Sequence, residues 1–206
     1  MSPVSSCRRL TLVAAATIAT LAASAVPAMA SDAAGCPAAA TSKPFSPWDD
    51  YARYQLAPGG SVENATSGWS LAGGAAVVEG NETFMVTSPG DHRSLRLPGG
   101  SSATTARMCV GREHPTFRFF VKRSSGPTTS SLAVDVVYTD ASGCELSLRA
   151  GVVSGSREWA PSRALPTMVE QIATPTGTVR ISFRFKPQGS GTWSIDDVYV
   201  DPHRLP

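Results

Sequence analysis

From Val179 to Lys186 every second side chain is apolar and each one between is polar or charged. This period of two marks a half-buried β-strand, because successive side chains of an extended chain point to opposite faces. The same pattern sets Leu132, Val134, Val136 and Tyr138 against Ala133, Asp135 and Val137. It also sets Phe117, Phe119 and Val121 against Thr116, Arg118, Phe120 and Lys122. Beyond Trp48 no long window carries apolar residues at helical spacing, which leaves room only for a short helical turn around Trp48 to Tyr54. Turn residues separate the runs, as in Gly90-Asp91, Pro98-Gly99-Gly100-Ser101, Ser124-Ser125-Gly126-Pro127, Asp140-Ala141-Ser142-Gly143 and Gln188-Gly189-Ser190-Gly191. Strands are predicted near 69–72, 75–79, 83–87, 93–97, 106–110, 116–122, 131–139, 144–153, 158–169, 178–186 and 192–200. So many antiparallel strands in one small domain predict an all-β fold, a two-sheet antiparallel β-sandwich.

The first thirty residues read as an export signal: Arg8 and Arg9, an uncharged apolar stretch, then Ala28-Met29-Ala30 as a small-x-small cleavage site. Cleavage after Ala30 predicts a secreted protein with an extended lead-in over 31–47 and a single β-sandwich domain over 48–206. Removing Arg8 and Arg9 from the 18 basic residues leaves 16, against 16 acidic ones, so the mature chain has no electrostatic case for nucleic acid or an anionic membrane. No later run of about 20 apolar residues predicts membrane insertion. Ala33-Ala34-Gly35-Cys36 lacks the Leu-like residue that a lipoprotein signal places before its cysteine.

Cys7 leaves with the signal, so Cys36, Cys109 and Cys144 can form at most one internal bridge. Strand parity turns Met108 and Val110 inward and Cys109 outward, within reach of a covering N-terminal segment, whereas Cys144 shares the parity of Leu146 and Leu148. The favoured pair is therefore Cys36 with Cys109, and Cys144 reads as a buried thiol.

A hydrolase needs a tuned base beside its reacting group. The histidines are His92, His114 and His203, all read as surface loop residues, and no nucleophile elbow, zinc-protease helix motif or phosphate-cradling glycine loop occurs. Paired carboxylates of a glycosidase leave no local signature. The chain is expected not to be an enzyme. Asn64-Ala65-Thr66 and Asn81-Glu82-Thr83 match the glycosylation sequon by chance, since 15 arginines against 3 lysines suggest a GC-rich bacterial source.

Gly59-Gly60-Ser61-Val62-Glu63, then Gly68-Trp69, and the closing Trp193-Ser194-Ile195-Asp196-Asp197-Val198-Tyr199-Val200 are similar to the two ends of carbohydrate-binding modules of the galactose-binding-like jelly-roll type. Val62 departs from the aromatic residue usual before the glutamate. The run from Cys36 to Pro202 also resembles an uncharacterised family of secreted bacterial proteins. The resemblance implies a jelly roll whose first and last strands lie side by side, often with a structural calcium between them. Glu63, Asp196 and Asp197 are the carboxylates available to that ion; alternatively, Glu63 is a surface residue and the Asp pair ends a strand. No other cofactor is expected.

Sugars present an apolar CH face and a rim of hydroxyls, so their sites combine exposed aromatic rings with hydrogen-bonding groups. By parity Phe120 and Arg118 point outward, as does Arg184 on another strand, and Trp159 could form a loop platform. These four are the expected ligand-binding residues. The competing assignment buries Trp159 in the core and Phe120 under the N-terminal segment. The expected function is a secreted non-catalytic module for an extracellular glycan or envelope component. The alternative is a structural or protein-interaction domain of the envelope with no small ligand.

Overall fold

The computed structural model describes residues 36–37, 39–64, 68–172 and 177–202. The export signal, its cleavage after Ala30, and His203 lie outside them. Within the described residues the strands are β1 (Gln55–Leu56), β2 (Ser70–Ala72), β3 (Ala76–Glu79), β4 (Arg93–Leu97), β5 (Ser102–Thr104), β6 (Met108–Gly111), β7 (Thr116–Ser125), β8 (Ser131–Thr139), β9 (Glu145–Val153), β10 (Ala160–Pro161), β11 (Leu165–Pro166), β12 (Thr178–Gln188) and β13 (Thr192–Val200). They form two antiparallel sheets. The seven-stranded one runs β10-β7-β13-β4-β3, with β1 also on β13 and β11 also on β7. The six-stranded one runs β2-β5-β12-β8-β9, with β6 also on β12. The alternating residues bury as their period requires: Phe117 of the first sheet stacks on Phe183 of the second at 3.9 Å, and Phe119 meets Phe185 edge-on at 5.0 Å. Trp69 and Trp193 join the same core.

Two predicted strands are corrected. Residues 83–87 form a loop, because the Glu82 carboxylate accepts the N–H groups of Phe84 and Val86 that a ladder would need. The segment 158–169 reduces to the two-residue pieces β10 and β11, each ending in a proline, Pro161 or Pro166, with no N–H to donate.

Residues 42–54 lie over the outer face of the seven-stranded sheet as a belt that runs into β1. Ser42 exchanges backbone hydrogen bonds with Tyr54, and Ser46–Trp48 forms a single 3-10 turn. The belt is joined to the other sheet by a disulfide from Cys36 to Cys109, with Cα atoms 5.4 Å apart. Met108 and Val110 are buried on either side of Cys109, as parity requires. Cys144 is not the expected buried thiol: it is half-buried and disulfide-bonded. It closes the turn at Asp140, whose carboxylate accepts its N–H, rather than standing within a strand. His114 also departs from expectation, being buried with Nδ1 accepting the Gly111 N–H at 3.1 Å.

The belt corrects the expectation for Phe120. Its side chain does turn away from the central core, but Phe45 stacks on it at 5.4 Å and Trp48 abuts it at 5.5 Å, leaving it 0% exposed. Trp159 packs in the same second cluster, with Lys122 Nζ 4.8 Å from its ring centre. Neither ring is an open platform. Arg118 fastens the belt: its guanidinium lies 4.3 Å from the Phe45 ring centre, donates to the Ser162 carbonyl at 2.9 Å and pairs with Asp50 at 2.6 Å.

Burial raises the Asp50 carboxyl, but hydrogen bonds from Tyr54 and Arg118 outweigh it and hold the group below its ordinary value. A lowered folded-state pKa gives stability that is complete above the unfolded value, about 4, and is lost as pH falls through the folded one. The near-UV circular dichroism of the belt aromatics is therefore expected to fade below about pH 4. An Asp50→Asn variant should lack that acid step; an unchanged step would assign it elsewhere.

Candidate functional site

The two ends of the domain meet as the closing strand breaks register. On β13, Asp196 faces Phe120 of β7 while Tyr199 faces Arg118, so three residue steps on one strand match two on the other. The extra residue is a β-bulge, a device that re-aims side chains. Asp197 takes it up with φ of 47°, in the left-handed region where Asp is better tolerated than most residues. The β1 side closes against this bulge, with Ala57 N–H donating to the Val198 carbonyl at 2.8 Å and Val198 N–H to that of Gly60 at 3.1 Å. A Cβ on Gly60 would stand 2.7 Å from the Val198 oxygen, so the opening motif needs glycine there.

Four buried carboxylates gather at this junction. Asp196 Oδ2 accepts the Glu82 N–H at 3.1 Å and Oδ1 the Asp197 N–H at 2.9 Å. Asp197 Oδ1 accepts the Thr87 hydroxyl at 2.6 Å, but Oδ2 has no hydrogen-bond partner. Asp91 Oδ2 and both amide atoms of Asn81 are buried without partners as well. Glu63 borders the group, Oε1 accepting the N–H groups of His92 at 2.8 Å and Arg93 at 2.6 Å. Among the described residues no arginine or lysine forms an ion pair with Glu82, Asp91, Asp196 or Asp197.

Burial pushes the Asp196 carboxyl up to about 9, and the charge of Asp197 adds to the effect. Burial also pushes Asp197 up to about 7, against the lowering hydrogen bond from Thr87. Asp91 is raised by burial and then by the charge of Glu63. Buried carboxylates without a cationic partner are costly when ionised, so at neutral pH the cluster favours either protons or a cation. Asp91 Oδ2, Asp197 Oδ2 and Asn81 Oδ1 are hard oxygen donors of the kind calcium takes. Among the described residues, no group of three or more His, Cys, Asp or Glu side chains is placed to hold a metal ion. Of the expected ligands, Asp197 carries the orphaned oxygen, whereas Asp196 and Glu63 hold backbone N–H groups. Asn81, Glu82 and Asp91 were not assigned to this junction from sequence, where Asn81 and Glu82 stood out only as part of a glycosylation sequon and Asp91 only as a turn residue.

A shallow cavity of about 440 Å³ borders the cluster, lined among others by Glu79, Asn81, Thr83, Met85, Asp91 and His92. Its rim is apolar. Phe84 is 44% and Met85 49% exposed, and the Phe84 ring meets Trp48 edge-on at 4.7 Å. Met85 holds φ of 52°, so three of the five described non-glycine residues at positive φ, Val62, Met85 and Asp197, surround this junction.

The structure does not bring the four expected ligand-binding residues together. Arg118, Phe120 and Trp159 lie beneath or against the belt on the seven-stranded sheet. Arg184 stands on the outer face of the six-stranded sheet, donating to Glu145 at 2.5 Å and to Thr104 at 3.2 Å, beside the Arg149–Asp135 pair.

No protein family and no curated protein matches the sequence. Solved structures are similar in part. One holds the CBM22-1 and GH10 modules of a Clostridium thermocellum endo-1,4-β-D-xylanase complexed with xylohexaose, at 15% identity and TM-score 0.43, covering 65% of this chain and 26% of that one. Another is a CBM61 module in complex with β-1,4-galactotriose, at 19% identity and TM-score 0.41, covering 70% and 96%. A third is the CBM22-1 xylan-binding domain of a Paenibacillus barcinonensis protein, at 12% identity and TM-score 0.47, covering 68% and 89%. Similarity at this level assigns no ligand to this chain.

Proposed function

We propose that this chain is a secreted, non-catalytic module that binds an extracellular glycan at the rim formed by Trp48, Phe84 and Met85. Export rests on the signal read over residues 1–30. The observation that carries the reading is the exposed Phe84 ring, edge-on to the half-buried Trp48, beside a cavity lined by amide, hydroxyl, imidazole and carboxylate groups. A pyranose ring has the matching pair of surfaces, an apolar CH face and a hydroxyl edge. Calcium would be structural, held by Asp197, Asp91 and Asn81, with Asp196 and Glu63 fixing the surrounding backbone. Asp196 and Asp197 are 0% and 1% exposed, which supports a non-catalytic role because neither carboxylate reaches a substrate.

A glycan array probed with the secreted protein in calcium tests the reading, and calorimetry on the best ligand locates the site. Phe84→Ala is expected to weaken binding about ten-fold or more, since ten-fold corresponds to about 1.4 kcal/mol and central aromatic contacts often exceed that. Arg184→Ala, on the opposite sheet, should leave affinity unchanged. A blank array would sink the glycan reading and leave a protein contact at Phe84 and the 63% exposed Tyr51.

A further inference from the structure

We propose that the domain carries a second binding site, a cavity of about 290 Å³ between the β6–β7 turn, β9 and the loop after β11, which takes a carboxylate-bearing sugar of an acidic polysaccharide. It shares no lining residue with the cavity beside Phe84 and does not rest on the reading of that rim. Its walls are preformed. The turn is closed by the His114 N–H, which donates to the Gly111 carbonyl at 2.9 Å, and by the Gly111 N–H, which donates to His114 Nδ1, leaving Arg112 and Pro115 exposed. The loop is pinned to this turn: Thr167 donates its N–H to the Pro115 carbonyl at 3.0 Å and its hydroxyl to that of His114 at 2.5 Å. Met168 then holds φ of 63°, in the left-handed region, and the 3-10 turn Val169–Gln171 follows. Strained backbone of this kind gathers at ligand sites, where the surrounding structure holds it in place.

Two guanidinium groups and an apolar wall line the cavity. Arg149 gives its Nε–H to Asp135 across the strands, which fixes the plane of the fork, and its two terminal amino groups make no hydrogen bond among the described residues. Arg112 meets Glu170 only at 3.9 Å, with side chains 75% and 74% exposed, a pairing weak enough to yield to a ligand. A guanidinium matches a carboxylate with two parallel hydrogen bonds, and Pro115, Pro166, Met168 and Val169 offer an apolar wall to the CH face of a sugar ring. In a uronic acid the carboxyl is a substituent of that same ring, so one sugar satisfies both surfaces.

Arg149 also belongs to a cationic row. On the outer face of the six-stranded sheet Arg184 faces Asp135 and Asp135 faces Arg149, so the two arginines lie two strand spacings, about 10 Å, apart. With Arg180 and Lys186 on β12, that face holds four cations against the two anions Asp135 and Glu145. This local excess, in a chain whose mature charge is expected to balance, draws a polyanion towards the cavity. Among the described residues no aromatic side chain stands on this face for nucleic-acid bases to stack on, which favours a sugar chain over a nucleic acid.

Calorimetry on the secreted protein, in buffer without calcium, tests this with oligogalacturonate, oligoglucuronate and oligomannuronate, each beside its methyl ester, and with inorganic phosphate. One acid oligomer or more is expected to bind at least about ten-fold more tightly than its ester, a difference of about 1.4 kcal/mol, with a dissociation constant that rises with salt. Arg112→Ala, at an exposed side chain, should weaken that binding about ten-fold, and Arg149→Lys, which keeps a charge beside Asp135 but loses the fork, should do the same. Phe84→Ala should leave it unchanged. The site is overturned if no acid oligomer binds, if acid and ester bind alike, if phosphate binds as tightly, or if Phe84→Ala rather than Arg112→Ala removes the binding. Acid-oligomer binding lost in Arg112→Ala, beside an array blank for neutral glycans, would uphold this site and discard the rim. A neutral glycan bound through Phe84, with no acid oligomer bound, would do the opposite.

Discussion

Replacing Phe120 by alanine is expected to lower the free energy of unfolding by about 3–5 kcal/mol, the range for truncating a fully buried phenylalanine. The ring is 0% exposed and lies 5.4 Å from Phe45, 5.5 Å from Trp48 and 5.7 Å from Phe84 by ring centres. It is the floor on which the belt rests, and its loss leaves a cavity that a belt held by the Cys36–Cys109 bridge and the Asp50–Arg118 pair cannot fully collapse into. For a domain of this size each kcal/mol shifts the melting temperature by about 2–4 °C, so a fall of roughly 6–20 °C is expected. Urea titration monitored by tryptophan fluorescence measures it. A loss under about 1 kcal/mol would show a solvent-exposed ring and return Phe120 to the ligand-binding set.

Calcium is expected to raise the melting temperature by a comparable amount. Saturation at about 100 times the dissociation constant contributes about 2.7 kcal/mol, or roughly 5–11 °C here. The pH dependence without the ion has a definite sign. Asp197 at about 7 and Asp196 at about 9 lie above the value of an unfolded aspartate, so the folded protein binds more protons, and its stability in chelator falls as pH rises through that interval. Calcium should flatten or reverse this slope, because it favours the ionised carboxylates. Asp197→Asn should raise stability in chelator at about pH 8, by removing a buried charge, and abolish the calcium response. Scanning calorimetry at about pH 6 and about pH 8, with chelator and with calcium, resolves these trends. Equal melting temperatures with and without calcium at both pH values would remove the ion from the account.

The long strands were legible because one side chain in two must face the core: Phe117, Phe119 and Val121 of β7, Leu132, Val134 and Val136 of β8, and Ile181, Phe183 and Phe185 of β12 all join it, although the other face of β8 is buried too, and the outward parity of Cys109 pointed to its bridge. Parity says which way a side chain points and nothing about what lies over it. Phe120 and Arg118 do face away from the central core, yet the belt that covers them comes from about 70 residues earlier in the chain. The loop over 83–87 misread as a strand because Thr83, Val86 and Thr87 suit β-structure, while the competing acceptor is the side chain of Glu82. The acidic cluster was half legible. Asp196, Asp197 and Glu63 sit in the two end motifs, but Asn81, Glu82 and Asp91 reach the junction only through the pairing of β3 with β4 and of β4 with β13.

The bridge between Cys36 and Cys109 also sets how the domain carries load. A pull on the polypeptide upstream of Cys36 passes through the sulfur atoms into β6, within the six-stranded sheet, so the chain between the bridged positions, which stand 73 apart in sequence, is bypassed. The aromatic contacts of Phe45 and the Arg118 clamp are then shielded from tension and need not resist peeling. Force instead reaches the backbone hydrogen bonds of β6 with β12, where Arg180 pairs opposite Cys109. Reducing the bridge would redirect the same pull onto Phe45, converting a load borne by the sheet into one that unzips the belt one contact at a time.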